Sequence, residues 1–593
     1  MTGPANRLRS SVAALLALAG MPAPAADDVP MRAMRDELAR SMGQLRLEGM
    51  EKPYFIAYRT DDRDTAAVTA TLGSLTSSRP MRVRLFAVEL RVGDYALDNG
   101  NYFSTRGPGG PGGVMGGGQA PLDDNYQEIR RQLWLATDAQ YKAALEALSG
   151  KRAALQMRQR TDDVPDFTRE TPVTLADVPA RARAAGPDLE ALARELSAVF
   201  RSAPEISRSS VAVASQDVFT RYVNSEGTSF TRSSPAFKLV VEAEAHAADG
   251  LPNSDSIVIH GRSAADLPPR QALLARVREM AARVLALRSA PSLERYNGPV
   301  LFEGAAAAEI FIQQFAPGLL ALRQPVSDDP RFDAFYGQMA AQFGGASFAD
   351  KVGGRVLPEF LGVVDDPPRR EVQGTPLLGG QRVDDDGVVP RQVALVERGV
   401  LKTLLASRVP VRAAPHSTGS RRGPGPAPSN LVVTSGRSVS DAELRRELLR
   451  RAKARGLDHG IVVRRVGGGD AAASLVRLAV RMGAAADGGS SAMAEVYRVH
   501  ADGREELLRG VELSEMTPAA FKEIAAVGEA PAVFTGEMVP RLGRLLALGL
   551  PSGAGAPVVS CVAPSILFEE VSLVRSQGPF PAPPVSASPL ARP

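Results

Sequence analysis

The chain is poor in the side chains that most metal and disulfide chemistry requires. Its 593 residues include one cysteine, Cys561, and five histidines. A single cysteine cannot close an intrachain disulfide, and it excludes every cysteine-rich zinc site. Aromatic residues make up only 5% of the chain, with one tryptophan, Trp134. The formal charge of +4 is small for this length. Arginine greatly outnumbers lysine, but no basic tract appears. The charge therefore reads as solvated surface, and nucleic acid is not an expected partner. No Gly-x-Ser-x-Gly elbow is present, and no Gly-Lys-Ser/Thr follows the glycine-rich stretch at 107–118. Beyond the N-terminus, no run is long and apolar enough for a transmembrane helix.

What remains is a globular composition, 44% hydrophobic and 23% charged, with length enough for several domains. The N-terminus reads as an export signal over residues 1–26. Arg7 and Arg9 precede an apolar stretch from Val12 to Met21, and Ala23-Pro24-Ala25 fits a small-x-small cleavage site. That stretch is too short to span a bilayer of about 30 Å permanently. The alternatives are a buried helix or a misassigned start codon. The expected mature protein is exported, to the periplasm, with no membrane span. Lacking disulfides, it must be held by its core alone.

Helical spacing of Met31, Met34, Leu38, Met42 and Leu45 predicts an amphipathic helix over 28–48, with Pro30 in its first turn. Three strands are predicted at 54–60, 66–72 and 81–92, separated by charged or serine-rich turns. The segment 107–118, GPGGPGGVMGGG, excludes helix and central strand and reads as a flexible surface loop. A long helix is expected over 124–155, with Trp134 near its apolar face and in the core. Further helices are expected at 188–202, 269–288, 303–316 and 441–455, the last opened by Ser440 with Glu443. Strands at 209–223 and 228–246 flank the hairpin turn Asn224-Ser225-Glu226-Gly227. The fold class is α+β: an N-terminal α+β domain over 27–290, a β-rich domain over 297–575, and a proline-rich tail over 576–593 read as disordered.

Several segments together resemble the TldD/PmbA family, also known as modulators of gyrase. They are Tyr222–Thr228, the run Gly298-Pro299-Val300-Leu301-Phe302-Glu303, and Asp385-Asp386-Gly387 followed by Gln392–Lys402. Ser407-Arg408, Ser417-Thr418-Gly419-Ser420 and the terminal Pro564–Val571 continue the match. The resemblance covers most of residues 190–575 and is most specific between 385 and 420. It implies a pairwise assembly in which a TldD-type subunit carries zinc and a PmbA/TldE-type subunit does not. It also implies that the active pair degrades peptides through a narrow cavity. In TldD-type subunits a His-Glu-x-x-x-His helix and a later cysteine bind the metal.

Set against that pattern, this chain keeps the glutamate and loses the ligands. Glu309 falls at the family glutamate, but Ala308 and Gln313 stand at the two histidines. Alanine has no lone pair and an amide is a poor zinc ligand, whereas catalytic zinc takes three ligands from His, Cys and carboxylates. The cysteine position falls near Leu550, where nothing can coordinate. Cys561 reads instead as a small buried hydrophobe in the following strand. His246, His260, His416, His459 and His500 never stand three to five residues apart. Asp384-Asp385-Asp386 reads as a turn before a strand. Ser417 and Ser420 beside His416 lack the scaffold a nucleophilic pair needs. Glu309, without a metal, is a weak base and fits a helix residue or a partner contact better.

The expectation is a family member without its own metal site or cofactor, zinc belonging to active relatives. It would be a TldE-like subunit shaping a cavity, holding peptide, or supporting a TldD-type partner or a second copy of itself. A metallopeptidase with a relocated site and a cell-envelope structural or binding protein remain alternatives. Strand edges near 393–405 are the expected contact surface with a partner sheet.

Overall fold

The computed structural model describes residues 28–104, 115–158, 163–177, 186–343, 347–467, 493–514, 516–538, 557–576, 586 and 588–591. Residues 1–26, read above as an export signal, residues 107–114 of the glycine-rich segment, the surroundings of Leu550 and most of the tail beyond 576 lie outside these residues. The N-terminal domain is built on a seven-stranded sheet. Strands β1 (Pro53–Thr71) and β2 (Ser74–Val92) form a long antiparallel hairpin. Leu72 and Gly73 turn it with φ of 48° and 76°, the left-handed pair that a two-residue hairpin needs. The sheet runs β3 (Met115–Ala120), β2, β1, β4 (Arg208–Asn224), β5 (Ser229–His246), and both β6 (Pro252–Gly261) and the short strand Thr174–Leu175 pair with β5.

Alternation along β1 divides the sheet's two faces. Ile56 and Tyr58 pack with helices α1 (Val29–Gln44) and α2 (Tyr126–Met157). Val68 and Ala70 pack with α3 (Gly186–Ala198) and α4 (Arg270–Leu287) on the same side. Phe55 and Ala57 point the other way, onto Phe167, Tyr222, Phe230 and Val383 of the C-terminal domain. Four helices thus cover one face, and the opposite face is left for the second domain.

Three expectations need correction here. The charged stretch Asp61-Asp62-Arg63-Asp64 does not turn; it continues β1 as a central strand. Its carboxylates find cations: Asp61 meets Arg59 two residues back on the same strand, and Asp62 meets both Arg84 and Arg221 on the neighbouring strands. This pairing offsets the low strand propensity of aspartate. Residues 115–118 are not loop but part of the edge strand β3 paired with β2, where glycines pass close to a neighbouring backbone. Trp134 is 48% exposed and is not core. The buried stripe of α2 runs through Ile129, Leu133, Tyr141, Ala144 and Leu148 instead.

The C-terminal domain is a mixed eleven-stranded sheet around one very long strand, β15 (Val558–Arg575). Along the sheet the order is Val400–Leu401, β9 (Val393–Glu397), β8 (Leu361–Asp365), β10 (Asn430–Ser435), β15, β7 (Arg295–Phe302), β11 (His459–Arg465), β12 (Glu495–His500) and β13 (Glu505–Leu508). Strands β14 (Ile524–Glu537) and Val511–Leu513 also pair with β15. The pairs β10/β15 and β7/β11 are parallel. The edge at 393–405 is not open as expected: Leu401 exchanges backbone hydrogen bonds with Gly353 and Gly354, and Gly399 accepts from Val356 and Leu357. The protein's own loop therefore caps that edge. Among the described residues no helix is long and apolar enough to cross a membrane.

Candidate functional site

The helix that would carry the metal in a TldD-type subunit is short. Helix α5 (Ala305–Ile310) passes directly into a π-helical turn, Phe311–Phe315, and then a 3₁₀ turn, Ala316–Leu319. A single α-helix over 303–316 was expected, so this break is a correction. Residues 308 and 313 sit roughly 140° apart on a regular α-helix. A π turn widens the helix and closes part of that gap, which is why such turns recur at functional sites.

The side chains do something else. Ala306, Ala307, Ala308 and Ile310 are buried in the main C-terminal core, together with Cys561, Ala563, Ile461 and Phe521. Glu309 is itself buried, its Oε2 accepting the N–H of Val466 at 3.1 Å and its Oε1 the amide N–H of Gln313 at 3.1 Å. Where the family pattern has a lone pair aimed at a metal, Gln313 presents a donor already engaged by Glu309. Alanine, a donated amide and a carboxylate held by two N–H groups do not fit zinc. Cys561 is fully buried, which pushes its thiol well above the ordinary range, as suits a small hydrophobe. Among the described residues no three His, Cys, Asp or Glu side chains converge as metal ligands.

The histidines remain scattered, with one pairing that sequence spacing could not reveal. His459 and His500 stand directly opposite each other on β11 and β12, brought together by strand register. The Tyr296 ring lies 5.5 Å from His459, and Asp458 holds its Nδ1. His246 bonds Ser207 at the end of β5, His260 lies in β6, and His416 is exposed. Ser417 accepts the Gly419 N–H and Ser420 bonds Thr418.

The densest polar constellation lies between the domains. The run Asp384–Asp386 is a turn, as expected: Asp384 Oδ1 accepts the N–H groups of Asp386 and Val388, and its Oδ2 that of Arg421. It is also buried against the free face of the N-terminal sheet. Asp385 bonds Arg232 at 2.6 Å and Arg59 at 3.2 Å, both on that sheet. Burial opposes ionisation of Asp385, yet those two guanidinium groups overcome it and hold the carboxyl far below its usual range. Asp386 takes Arg421 at 2.5 Å, and Arg421 also faces Glu89 at 3.5 Å. Arg408 closes the set with a two-pronged contact to Glu226, at 2.7 and 2.8 Å, while its guanidinium lies over Phe167. A cavity of about 40 Å³ opens among Ala57, Arg59, Glu89, Tyr222, Asp385 and Arg421. None of these contacts was foreseen from the sequence. The available signal was the alternation of charge in β1, which marks a strand with one face against ions rather than against a core.

Next to this network Asp365, at the end of β8, is 1% exposed and accepts the N–H and Oγ–H of Ser429. Burial pushes its carboxyl from 3.8 up to about 6, against those hydrogen bonds. The folded state therefore holds this proton more tightly than the unfolded chain. Ionising Asp365 between pH 3.8 and 6 costs the fold stability, by ~3 kcal/mol once ionisation is complete. Asp365→Asn removes that slope, because an amide keeps the acceptor for Ser429 and never ionises. Urea unfolding at pH 4 and pH 7 should show the variant gaining on the wild type as pH rises. A constant difference between the two would contradict the raised carboxyl.

Fold and site together define a metallopeptidase-type scaffold whose ligand positions are apolar or amide. Residues 331–575 match the family profile of the PmbA/TldA metallopeptidase C-terminal domain. Three solved structures share the fold. A proposed modulator of DNA gyrase from Thermotoga maritima aligns with TM-score 0.53 and 15% identity over 88% of this chain and 96% of that one. TldE from Thermococcus kodakarensis gives 0.52 and 12% over 91% and 100%. A proposed modulator of DNA gyrase from Bacteroides thetaiotaomicron gives 0.51 and 12% over 92% and 98%. No curated protein matches the chain. The C-terminal domain is thus similar to the PmbA/TldA metallopeptidase C-terminal domain, and the chain as a whole shares the fold of these three structures.

Proposed function

We propose that this protein is a non-catalytic, TldE-like subunit that acts on the exported side of the inner membrane, holding peptide for, or pairing with, a TldD-type partner that carries the metal. The observation that carries this reading is the chemistry of α5: Ala308 sealed in the core and Gln313 donating to Glu309, where a metal site needs two imidazoles. A scaffold can outlive its chemistry because fold and function separate. Residues 1–26 support export by composition.

Metal analysis of the purified mature protein, with no chelator used, tests the first half. The expected result is zinc far below one ion per chain, and no peptide cleavage that Glu309→Gln abolishes. Stoichiometric zinc, or hydrolysis lost on that substitution, would sink the reading. Co-purification with a subunit bearing His-Glu-x-x-x-His tests the pairing, with a lone monomer in its presence counting against it.

A further inference from the structure

The cavity at the domain junction exists because two positions of its floor are alanine. Three adjacent strands supply that floor in register: Ala57 lies opposite Glu89, and Arg59 lies between Ala87 and Tyr222. These five side chains leave one face of the sheet, the face turned to the C-terminal domain. Asp385, Arg421 and Gly423 form the roof. Met115, opposite Glu89 on β3 and 47% exposed, stands at the rim. Ala57 and Ala87 are short between longer neighbours, so about 40 Å³ stays open above them. At roughly 10–15 Å³ for each water-sized group, the space admits about three or four such groups.

Charges of both signs reach this space with bonding capacity left. Oε1 of Glu89 accepts from Nε and Nη2 of Arg91. Its Oε2 accepts no hydrogen bond among the described residues; Arg421 Nη1 stands 3.5 Å away and donates to Asp386 instead. Arg59 turns Nε to Asp61 and Nη1 to Asp385, and its Nη2 makes no hydrogen bond among the described residues. Arg421 Nη2 has only the sulfur of Met115, at 3.4 Å, a weak acceptor. Asp385 is fully engaged by Arg232, Arg59 and the N–H of Gly423. A simple anion would suit the two guanidinium ends but meet Glu89. A simple cation would suit Glu89 but meet the arginines. A ligand that carries both charges a few bonds apart satisfies all three groups.

We propose that this cavity binds a small free α-amino acid as its zwitterion, with the ammonium on Glu89 Oε2 and the carboxylate on the outer nitrogens of Arg59 and Arg421. The room above Ala57 and Ala87 limits the side chain to that of glycine or alanine. Either end of a peptide supplies only one of the two charges, so the free amino acid is preferred to a chain terminus. The site shares no residue with α5, and binding here is independent of whether that helix can hold zinc.

Isothermal titration calorimetry on the full mature protein tests this with glycine, alanine, acetate, methylamine and glycinamide. Glycine and alanine should bind with a dissociation constant of about 10 µM to 1 mM, the range open to so small a ligand. Acetate, methylamine and glycinamide each lack one charge and should bind at least about tenfold more weakly, the scale of one charge-assisted contact. Ala87→Val fills the floor without touching a charge, and Arg59→Met removes one end of the carboxylate site. Each should abolish glycine binding, with thermal unfolding showing that the variant folds. No glycine binding up to roughly 10 mM overturns the proposal. So does acetate, methylamine or glycinamide binding as tightly as glycine, which leaves a site for a single charge. Glycine binding unchanged in either folded variant places the ligand elsewhere and overturns it as well.

Discussion

Arg408→Ala should lose about 3–5 kcal/mol of stability, the scale of removing one partner from a buried ion pair. The side chain is 1% exposed and joins three separate parts of the molecule. Its two terminal nitrogens bond Glu226, in the turn between β4 and β5. Its Nε and Nη2 also donate to the carbonyl of Thr168. Its plane lies 4.0 Å over the Phe167 ring and 5.2 Å over that of Phe55. Truncation leaves the Glu226 carboxylate, the Thr168 carbonyl and the Asp386 region without their shared cation, and opens a cavity beneath two phenyl rings. Arg408→Lys should recover little, because an ammonium cannot reproduce the two parallel bonds to Glu226 or the flat contact on Phe167. Chemical denaturation measures the loss. Glu226→Gln and the double variant complete a cycle that separates the ion pair from the packing. A loss under about 1 kcal/mol would make this an ordinary surface-type pair despite its burial.

The same residue shows what could be read from the sequence and what could not. Ser407-Arg408 and the Tyr222–Thr228 turn were recognisable as parts of one family pattern, and the helices and hairpins followed from periodicity and turn chemistry. Those are local signals. That Arg408 reaches Glu226 across 182 positions is a matter of domain docking, and no periodicity encodes it. Asp61–Asp64 failed for a related reason. Four charged residues in a row look like a turn until the cations facing them, Arg84 and Arg221, come from strands 22 and 159 positions away. Trp134 was misplaced because an aromatic residue beside an apolar stripe can sit at its rim, and here the stripe turns away from it. The π turn after α5 was invisible as well: Phe311-Ile312-Gln313-Gln314-Phe315 carries no glycine or proline to announce a change of helix type. The chemical identity of positions 308 and 313, by contrast, was fully legible, because a missing lone pair is a property of the residue and not of its surroundings.

The capped sheet edge changes where a partner should be sought. Strand addition at 393–405 would have to displace Gly353–Leu357 from hydrogen bonds already made. The junction between the domains has a small polar cavity that can be reached without that cost.

Gly379→Ala tests how rigid that junction is, and its expected cost is ~3 kcal/mol or more, at the upper end of overpacking effects. A methyl group at residue 379 would lie 1.8 Å from the carbonyl oxygen of Ser429 and 2.8 Å from Oδ1 of Asn430. Neither atom is free to retreat. The Ser429 carbonyl accepts the N–H of Ser560 in β15, and Ser429 is also tied to Asp365 through its N–H and hydroxyl. Asn430 Oδ1 already accepts the N–H of Gly379 itself. The segment must therefore lift away from β10, taking with it Leu378, which donates to Ser560 Oγ, and the following residues to Asp385. Gly43→Ala is the control. Gly43 lies in α1 with nothing within 4 Å of the added methyl, so alanine there should raise stability by up to about 1 kcal/mol through helix propensity alone. Thermal unfolding of both variants, with limited proteolysis across 377–390, separates a lifted junction from general destabilisation. A Gly379→Ala protein that melts with the wild type and resists cleavage there would mean the junction yields to a methyl group.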